Sequence, residues 1–232
     1  MEINKVIFIT GYQHSGTSVL KRIIGAHPDV FEVPSECWPN DIKLHKFGGY
    51  DICVCKIPLI WWSKEFKKNI EADGLTRINI IKNPLDVFSS LKLRYKSYSL
   101  QSSKYEDVKQ WEKWADYFLD HTPKTDFNLR YEDLFIGNGP NNKMIKGIIS
   151  ACGLSPCPNI LELKQQENIP IKCQSTPASK PERWDHEAFR SWQINQPLRN
   201  HSNENRHVLS KKDMEYITNL EGFQRLYGGD ET

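Results

Sequence analysis

Several things are missing from this 232-residue chain, and each absence narrows its class. No apolar run is longer than a strand, so no membrane span is expected. The opening Met1-Glu2-Ile3-Asn4-Lys5 lacks the apolar stretch of a secretory signal, so a cytoplasmic setting is expected. Cys37, Cys53, Cys55, Cys152, Cys157 and Cys173 are therefore expected to be reduced, structural thiols. They lack the tight Cys/His grouping of a zinc site. Cys53 and Cys55, two apart on a strand, share a face and are badly placed to pair with each other. Charge of one sign is also lacking. With 31 basic and 29 acidic residues the net charge is +2, so no nucleic-acid partner is expected and any basic site must be local. There is no internal repeat and no obvious carboxylate cluster for magnesium. At 26% charged and 38% hydrophobic residues, a single domain over 1–232 is expected.

The most informative stretch is residues 6–20. An apolar strand runs into Gly11, a loop spans Gln13, His14, Ser15 and Gly16, and a helical pattern begins at Thr17 and Ser18. Strand, loop of backbone N–H groups and helix N-terminus together make a phosphate cradle. Gly11 and Gly16 have the spacing of an ATP-binding P-loop, but Thr17 stands where that motif requires lysine. The loop is suited to phosphate but not to the usual ATP chemistry.

Further strands are expected at 30–33, 50–57, 77–81 and 125–131, and helices at 17–26, 63–72, from Pro84, at 105–121, 143–152, 185–193 and 210–227. Asn83, Pro84 and Asp86 are an N-cap, a first helical position and a first-turn acid. Trp111, Trp114 and Phe118 recur at helical spacing and read as core. Residues 156–181 read as a long loop rich in Pro, Ser, Lys and Gln. Alternating strands and helices imply an α/β fold, a three-layer sandwich around a mainly parallel sheet. Its nucleotide-binding core would cover about 5–155, with a C-terminal loop and helices over 156–232.

Such sheets bind ligands beyond the carboxyl ends of their strands. Here those ends carry the loop 11–18, Glu36, Lys56 and Lys82. Ser90 lies two helical turns from Asn83, on the same face, where it and Lys82 are placed to share a second phosphate. Two separated phosphate sites without an ATP-type lysine suggest a nucleotide phosphorylated at both ends.

These residues resemble the sulfotransferases that use 3′-phosphoadenylyl sulfate (PAPS). His14-Ser15-Gly16-Thr17-Ser18 is similar to their 5′-phosphosulfate loop, with histidine in place of lysine or arginine. Lys82-Asn83-Pro84-Leu85-Asp86, with Ser90 eight residues after Lys82, is similar to their 3′-phosphate motif, with lysine in place of arginine. Leu129-Arg130-Tyr131-Glu132-Asp133-Leu134 resembles a strand ending whose tyrosine approaches adenine. His27-Pro28-Asp29 through Ser35-Glu36, with Lys56-Ile57-Pro58, resembles the branch acting on glycans, which uses a glutamate base and an assisting lysine. The resemblance implies a PAPS-binding set of Gln13, His14, Ser15, Gly16, Thr17, Ser18, Lys82, Ser90 and Tyr131. Lys180 and Arg183 are the nearest candidates for a further 3′-phosphate contact. It implies catalytic roles for Glu36, His14 and Lys56, with PAP as product and no metal.

The expected reaction is sulfuryl transfer to a hydroxyl or amine of a small-molecule or carbohydrate acceptor. Trp38, Trp61 and Trp62 are placed either to line an acceptor pocket or to pack in the core. His14 has an unperturbed pKa near 6.5 and would be cationic only part of the time. Two other readings stay open: a non-catalytic nucleotide-binding or scaffold protein on the same fold, and a P-loop kinase of small molecules. The short chain without an anchor suggests a soluble enzyme of bacterial or viral type. Acceptor identity and oligomeric state are not encoded in these motifs.

Overall fold

The computed structural model describes residues 4–33, 36–42, 49–60, 62–70, 74–95, 97–120, 126–164 and 197–229. Its centre is a five-stranded sheet of order β2-β3-β1-β4-β5, with β1 at Lys5–Tyr12, β2 at Val30–Glu32, β3 at Ile52–Leu59, β4 at Leu75–Ile81 and β5 at Asp126–Arg130. Every pairing is parallel. All carboxyl ends therefore meet along one edge.

The period of the strands sorts their side chains into two cores. Ile7 and Ile9 of β1, Val54 of β3 and Ile78 and Ile80 of β4 face α1 (Thr17–Gly25), α6 (Asn142–Ala151) and α7 (Ile160–Lys164). Val6, Phe8, Tyr12, Cys53, Cys55 and Ile81 face the other way. There they meet α4 (Pro84–Arg94), α5 (Glu106–Asp120), α8 (Lys211–Thr218) and α9 (Glu221–Tyr227). The short helices α2 (Pro39–Ile42) and α3 (Lys64–Ile70) also pack on this side, through Ile42 and Phe66. This is the expected three-layer sandwich. Burial on both sheet faces explains why β1 reads as a continuous apolar run rather than an alternating one.

The cysteines are free thiols wherever they are described. Cys53, Cys55 and Cys152 are buried, and burial pushes Cys53 and Cys152 up to about 12. They stay protonated and act as packing groups.

Several local features differ from the sequence expectation. The helix expected over 210–227 is two helices, because Leu220 adopts an extended backbone and turns its side chain into the core. Gly222 then sits so close to Ala115 that a Cβ would lie 2.9 Å from the alanine methyl. Tyr131–Leu134, read as a strand ending, is a 3-10 turn. Within 156–181, read as a long loop, Ile160–Lys164 form α7; Phe135–Ile136 (β6) and Gly139–Pro140 (β7), given no element from the sequence, form a small antiparallel pair. The helix expected at 185–193 lies outside the described residues.

At the carboxyl end of β1, a Cβ on Gly11 would lie 2.3 Å from the Ile80 carbonyl oxygen. Gly11→Ala is thus expected to destabilise the protein by about 1–3 kcal/mol through overpacking. Gly147, inside α6, has nothing within 4 Å of the same position, so Gly147→Ala should stabilise by about 0.5–1 kcal/mol. Urea unfolding of both variants checks the pair, and equal effects would count against the close approach.

Candidate functional site

The carboxyl edge of the sheet gathers the residues singled out in the sequence. Past β1 the chain turns through Gln13–Gly16 into α1. The Ser15 N–H donates to the Tyr12 carbonyl at 3.1 Å, closing the loop, and the Gln13 N–H ties it to Leu59 at 2.9 Å. The Ser15 N–H is thereby committed within the loop. The Tyr12 hydroxyl donates to the Asp107 carbonyl at 3.0 Å, and the Gln13 side chain lies close to it. Both His14 (φ 65) and Gly16 (φ 91) have left-handed backbone, which glycine adopts freely and histidine only under constraint. Gly16 caps α1 without a side-chain bond, leaving the first-turn N–H groups without intrahelical acceptors. Thr17 is buried and Ser18 half-buried beside it. The Ser15 hydroxyl is buried and has no hydrogen-bond partner among the described residues.

α4 brings the second set. The Asn83 side chain accepts from the Leu85 N–H at 3.0 Å, and Pro84 opens the helix, as expected. Ser90, two turns on, meets His14: Ser90 Oγ and His14 Nδ1 are 2.9 Å apart. The two motifs are thus joined by a hydrogen bond across 76 residues of chain. Tyr131 packs against Gly16, where a Cβ would lie 2.5 Å from its ring. The Lys82 ammonium lies 4.1 Å from the centre of the same ring.

Lys82 is 9% exposed, and burial holds its pKa below the ordinary lysine value, opposed by Asp86, Glu132 and Glu204. The nearby carboxylates are committed elsewhere. Asp86 accepts from Arg206 Nε and from the Asn203 N–H, each at 2.9 Å. Glu132 accepts from the Asn83 N–H at 2.9 Å and from the Tyr227 hydroxyl at 3.3 Å. Burial pushes Glu132 up, and the bond from Asn83 and the charge of Lys82 oppose it. Trp111 Nε1 donates to the Lys82 carbonyl and Trp114 Nε1 to the Ile80 carbonyl, each at 3.2 Å. Sequence reasoning placed these tryptophans in the core, where they are, but missed that their N–H groups fix the end of β4. It also missed Glu132, Tyr227, Asn203 and Arg206, whose contacts span too much chain for local patterning to reveal.

The third group lies beyond β2 and β3. Lys56, buried on β3, donates to Glu36 Oε1 at 2.7 Å, while the glutamate side chain is half exposed. Trp38 packs on Phe8 and Phe66, and Trp62 on Trp114 and Tyr117. Both pack on the core while staying partly exposed. Trp61, Lys180 and Arg183 lie outside the described residues. Among the described residues no helix is long and apolar enough to cross a membrane, and no group of three His, Cys, Asp or Glu is arranged for a metal.

His14, Gly16, Ser90, Lys82 and Tyr131 are thus linked by direct contacts at the carboxyl edge of the sheet, and the Lys56–Glu36 ion pair lies at the carboxyl end of β3. No protein-family profile and no curated protein matches this sequence. Solved structures do match. Mouse sulfotransferase SULT7A1 complexed with PAP superposes with a TM-score of 0.61 at 14% identity, over 98% of this chain and 86% of that one. A sulfotransferase from Alicyclobacillus acidocaldarius is 13% identical over 68% of this chain and 89% of that one, with a TM-score of 0.43. The chain has the sulfotransferase fold.

The lowered Lys82 pKa has a consequence for stability. A lysine less basic folded than unfolded penalises the fold fully below its folded pKa. The penalty lifts as pH rises from there towards the unfolded value. Lys82→Met removes this dependence. The stability of the parent minus that of the variant should therefore grow as pH rises from neutral towards 10, read by urea titrations. A difference that shrinks would contradict the assignment.

Proposed function

We propose that the protein is a PAPS-dependent sulfotransferase acting on a hydroxyl or amine of a small-molecule or carbohydrate acceptor. The observation that carries this reading is the His14–Ser90 hydrogen bond. It joins a phosphate-type loop to a second cationic site, as a donor phosphorylated at both ends requires. The partnerless Ser15 hydroxyl and the tight Gly16–Tyr131 contact fit a loop shaped around a ligand.

The donor's 5′-phosphosulfate would lie against the N–H groups at the start of α1 and the hydroxyls of Ser15, Thr17 and Ser18. Its 3′-phosphate would lie by Lys82 and Ser90, and adenine near Tyr131. Glu36 would take the acceptor proton through Oε2, since Oε1 holds Lys56. The acceptor atom bonds to sulfur as the bond from sulfur to the bridging phosphate oxygen breaks. That oxygen leaves with the electron pair, as PAP. His14 and Lys56 would offset the charge developing there. The sulfuryl group carries less charge than a phosphoryl group, so fixed cations and N–H groups suffice. Positioning supplies much of the remainder.

PAP at a hundredfold excess over its Kd should stabilise the protein by about 2.7 kcal/mol without added metal. Stabilisation only by ATP with magnesium would overturn the reading in favour of a kinase. PAP binding with no turnover on any acceptor tried would favour a scaffold.

Glu36→Gln should lower turnover by roughly 10²–10⁴-fold while leaving PAP affinity intact. A labelled-PAPS assay beside calorimetry checks both, and near-parental turnover would remove Glu36 from the role of base.

A further inference from the structure

The segment carrying Glu36 leaves the sheet at Val33 and returns at Cys37. The Val33 N–H donates to Val54 at 3.0 Å and the Cys37 N–H to Lys56 at 3.3 Å, so β3 holds both ends. A third tie comes from beneath. Lys21 of α1 is 5% exposed, and its ammonium donates to the Val33 carbonyl. The same ammonium lies 3.4 Å from Glu32 Oε1, while Arg22 holds Glu32 Oε2 at 3.1 Å. Glu32 in turn lies over Gly25, where a Cβ would come within 2.6 Å of it. Two buried cations thus share one buried carboxylate.

This arrangement is poorly explained by stability alone. Buried ion clusters are often no more stable than apolar groups of the same volume. Arg22 already pairs with Glu32, so the carboxylate does not require Lys21. What Lys21 adds is the hydrogen bond to Val33, the residue from which the Glu36 segment departs. A charged donor on a carbonyl is among the stronger hydrogen bonds. It is anchored on the helix whose N-terminus forms the phosphate-type loop.

We propose that Lys21 is a positioning residue: it ties the Glu36 segment to α1, and so fixes the base relative to the donor loop at the other end of that helix. The tie to the segment stands on geometry alone. Its catalytic consequence rests on the sulfotransferase reading above, with Glu36 as base.

Cys37 provides a readout independent of activity. It neighbours Glu36, is half-buried, and packs on the core beneath the segment. Cys157 is also half-buried but packs on the opposite core, and serves as the control. Iodoacetamide labelling of the full chain, resolved by peptide mass spectrometry, follows the two together. In Lys21→Met, labelling of Cys37 should rise roughly tenfold over that of Cys157, as loss of a charged hydrogen bond loosens the segment locally. Lys21→Arg, which restores a long cationic donor, should return the ratio towards the parental value. If Lys21→Met folds poorly, Lys21→Gln keeps a polar end without the cation and is read by the same ratio. An unchanged ratio, or both thiols rising together, overturns the proposal. In a PAPS assay, kcat of Lys21→Met should fall roughly tenfold with the Kd for PAP unchanged. A selective rise at Cys37 with parental kcat would leave the structural tie standing and overturn the positioning of Glu36 by Lys21. No PAPS turnover in the parent would overturn the sulfotransferase reading, with the labelling ratio still deciding the role of Lys21.

Discussion

The close approach of β1 and β4 at their carboxyl ends is the constraint on which the site depends. Gly11 allows it, since any Cβ there would collide with the Ile80 carbonyl. That same carbonyl accepts from Trp114, and the Lys82 carbonyl, two residues on, accepts from Trp111. The end of β4 is therefore held from both sides. β1 hydrogen-bonds along it in register, and α5 supplies indole donors where the ladder ends. With β4 fixed, α4 begins in one place, and Ser90 lands within hydrogen-bond distance of His14. An unsatisfied carbonyl in this dry region would cost about 1–3 kcal/mol, which is reason enough for two buried tryptophans to turn their N–H groups towards the strand.

A second layer of restraint comes from the chain's far end. Asp86 in the first turn of α4 accepts from Asn203 and Arg206, and Glu132 links the N–H of Asn83 to the Tyr227 hydroxyl. The C-terminal segment thus does more than cover a face of the sheet. Asn203, Arg206 and Tyr227 hydrogen-bond two of the carboxylates whose charge acts on Lys82.

The readable part of the site was the part encoded locally. Gly11, Gly16, Asn83, Pro84 and Ser90 act within a turn or two of their own positions, so their spacing alone announced a phosphate-type loop and a capped helix. Parallel order was legible from the alternation of strands and helices. Other features required distant partners. Glu132 read as the tail of a strand because nothing nearby signals that its carboxylate caps a helix start 49 residues away. Lys21 belonged to no motif, because its contacts with Glu32 and Val33 depend on where β2 ends. Trp38 and Trp62 were ambiguous for the opposite reason. An aromatic beside a candidate acid fits pocket and core equally well, and both rings here pack on the core, through Phe8, Phe66 and Trp114, while staying partly exposed.

Lys82 shows why a buried cation at this edge is informative. Removing an ammonium from water is costly unless it is paired, and among the described residues no carboxylate lies within salt-bridge distance of it. What it has is the face of Tyr131 and the longer-range field of Asp86, Glu132 and Glu204. Arginine there would spread its charge over a wide fork. Lysine concentrates it at one point, over the ring that also presses on the loop before α1 through Gly16. An anion placed between Lys82 and Ser90 would relieve the desolvation and raise the lysine's pKa towards its ordinary value. The same anion would lie beside the hydroxyl that meets His14, so occupation of the second site bears directly on the hydrogen bonding of the first. The anion that the proposed donor would supply at Lys82 is thus tied, through Ser90, to the loop at His14.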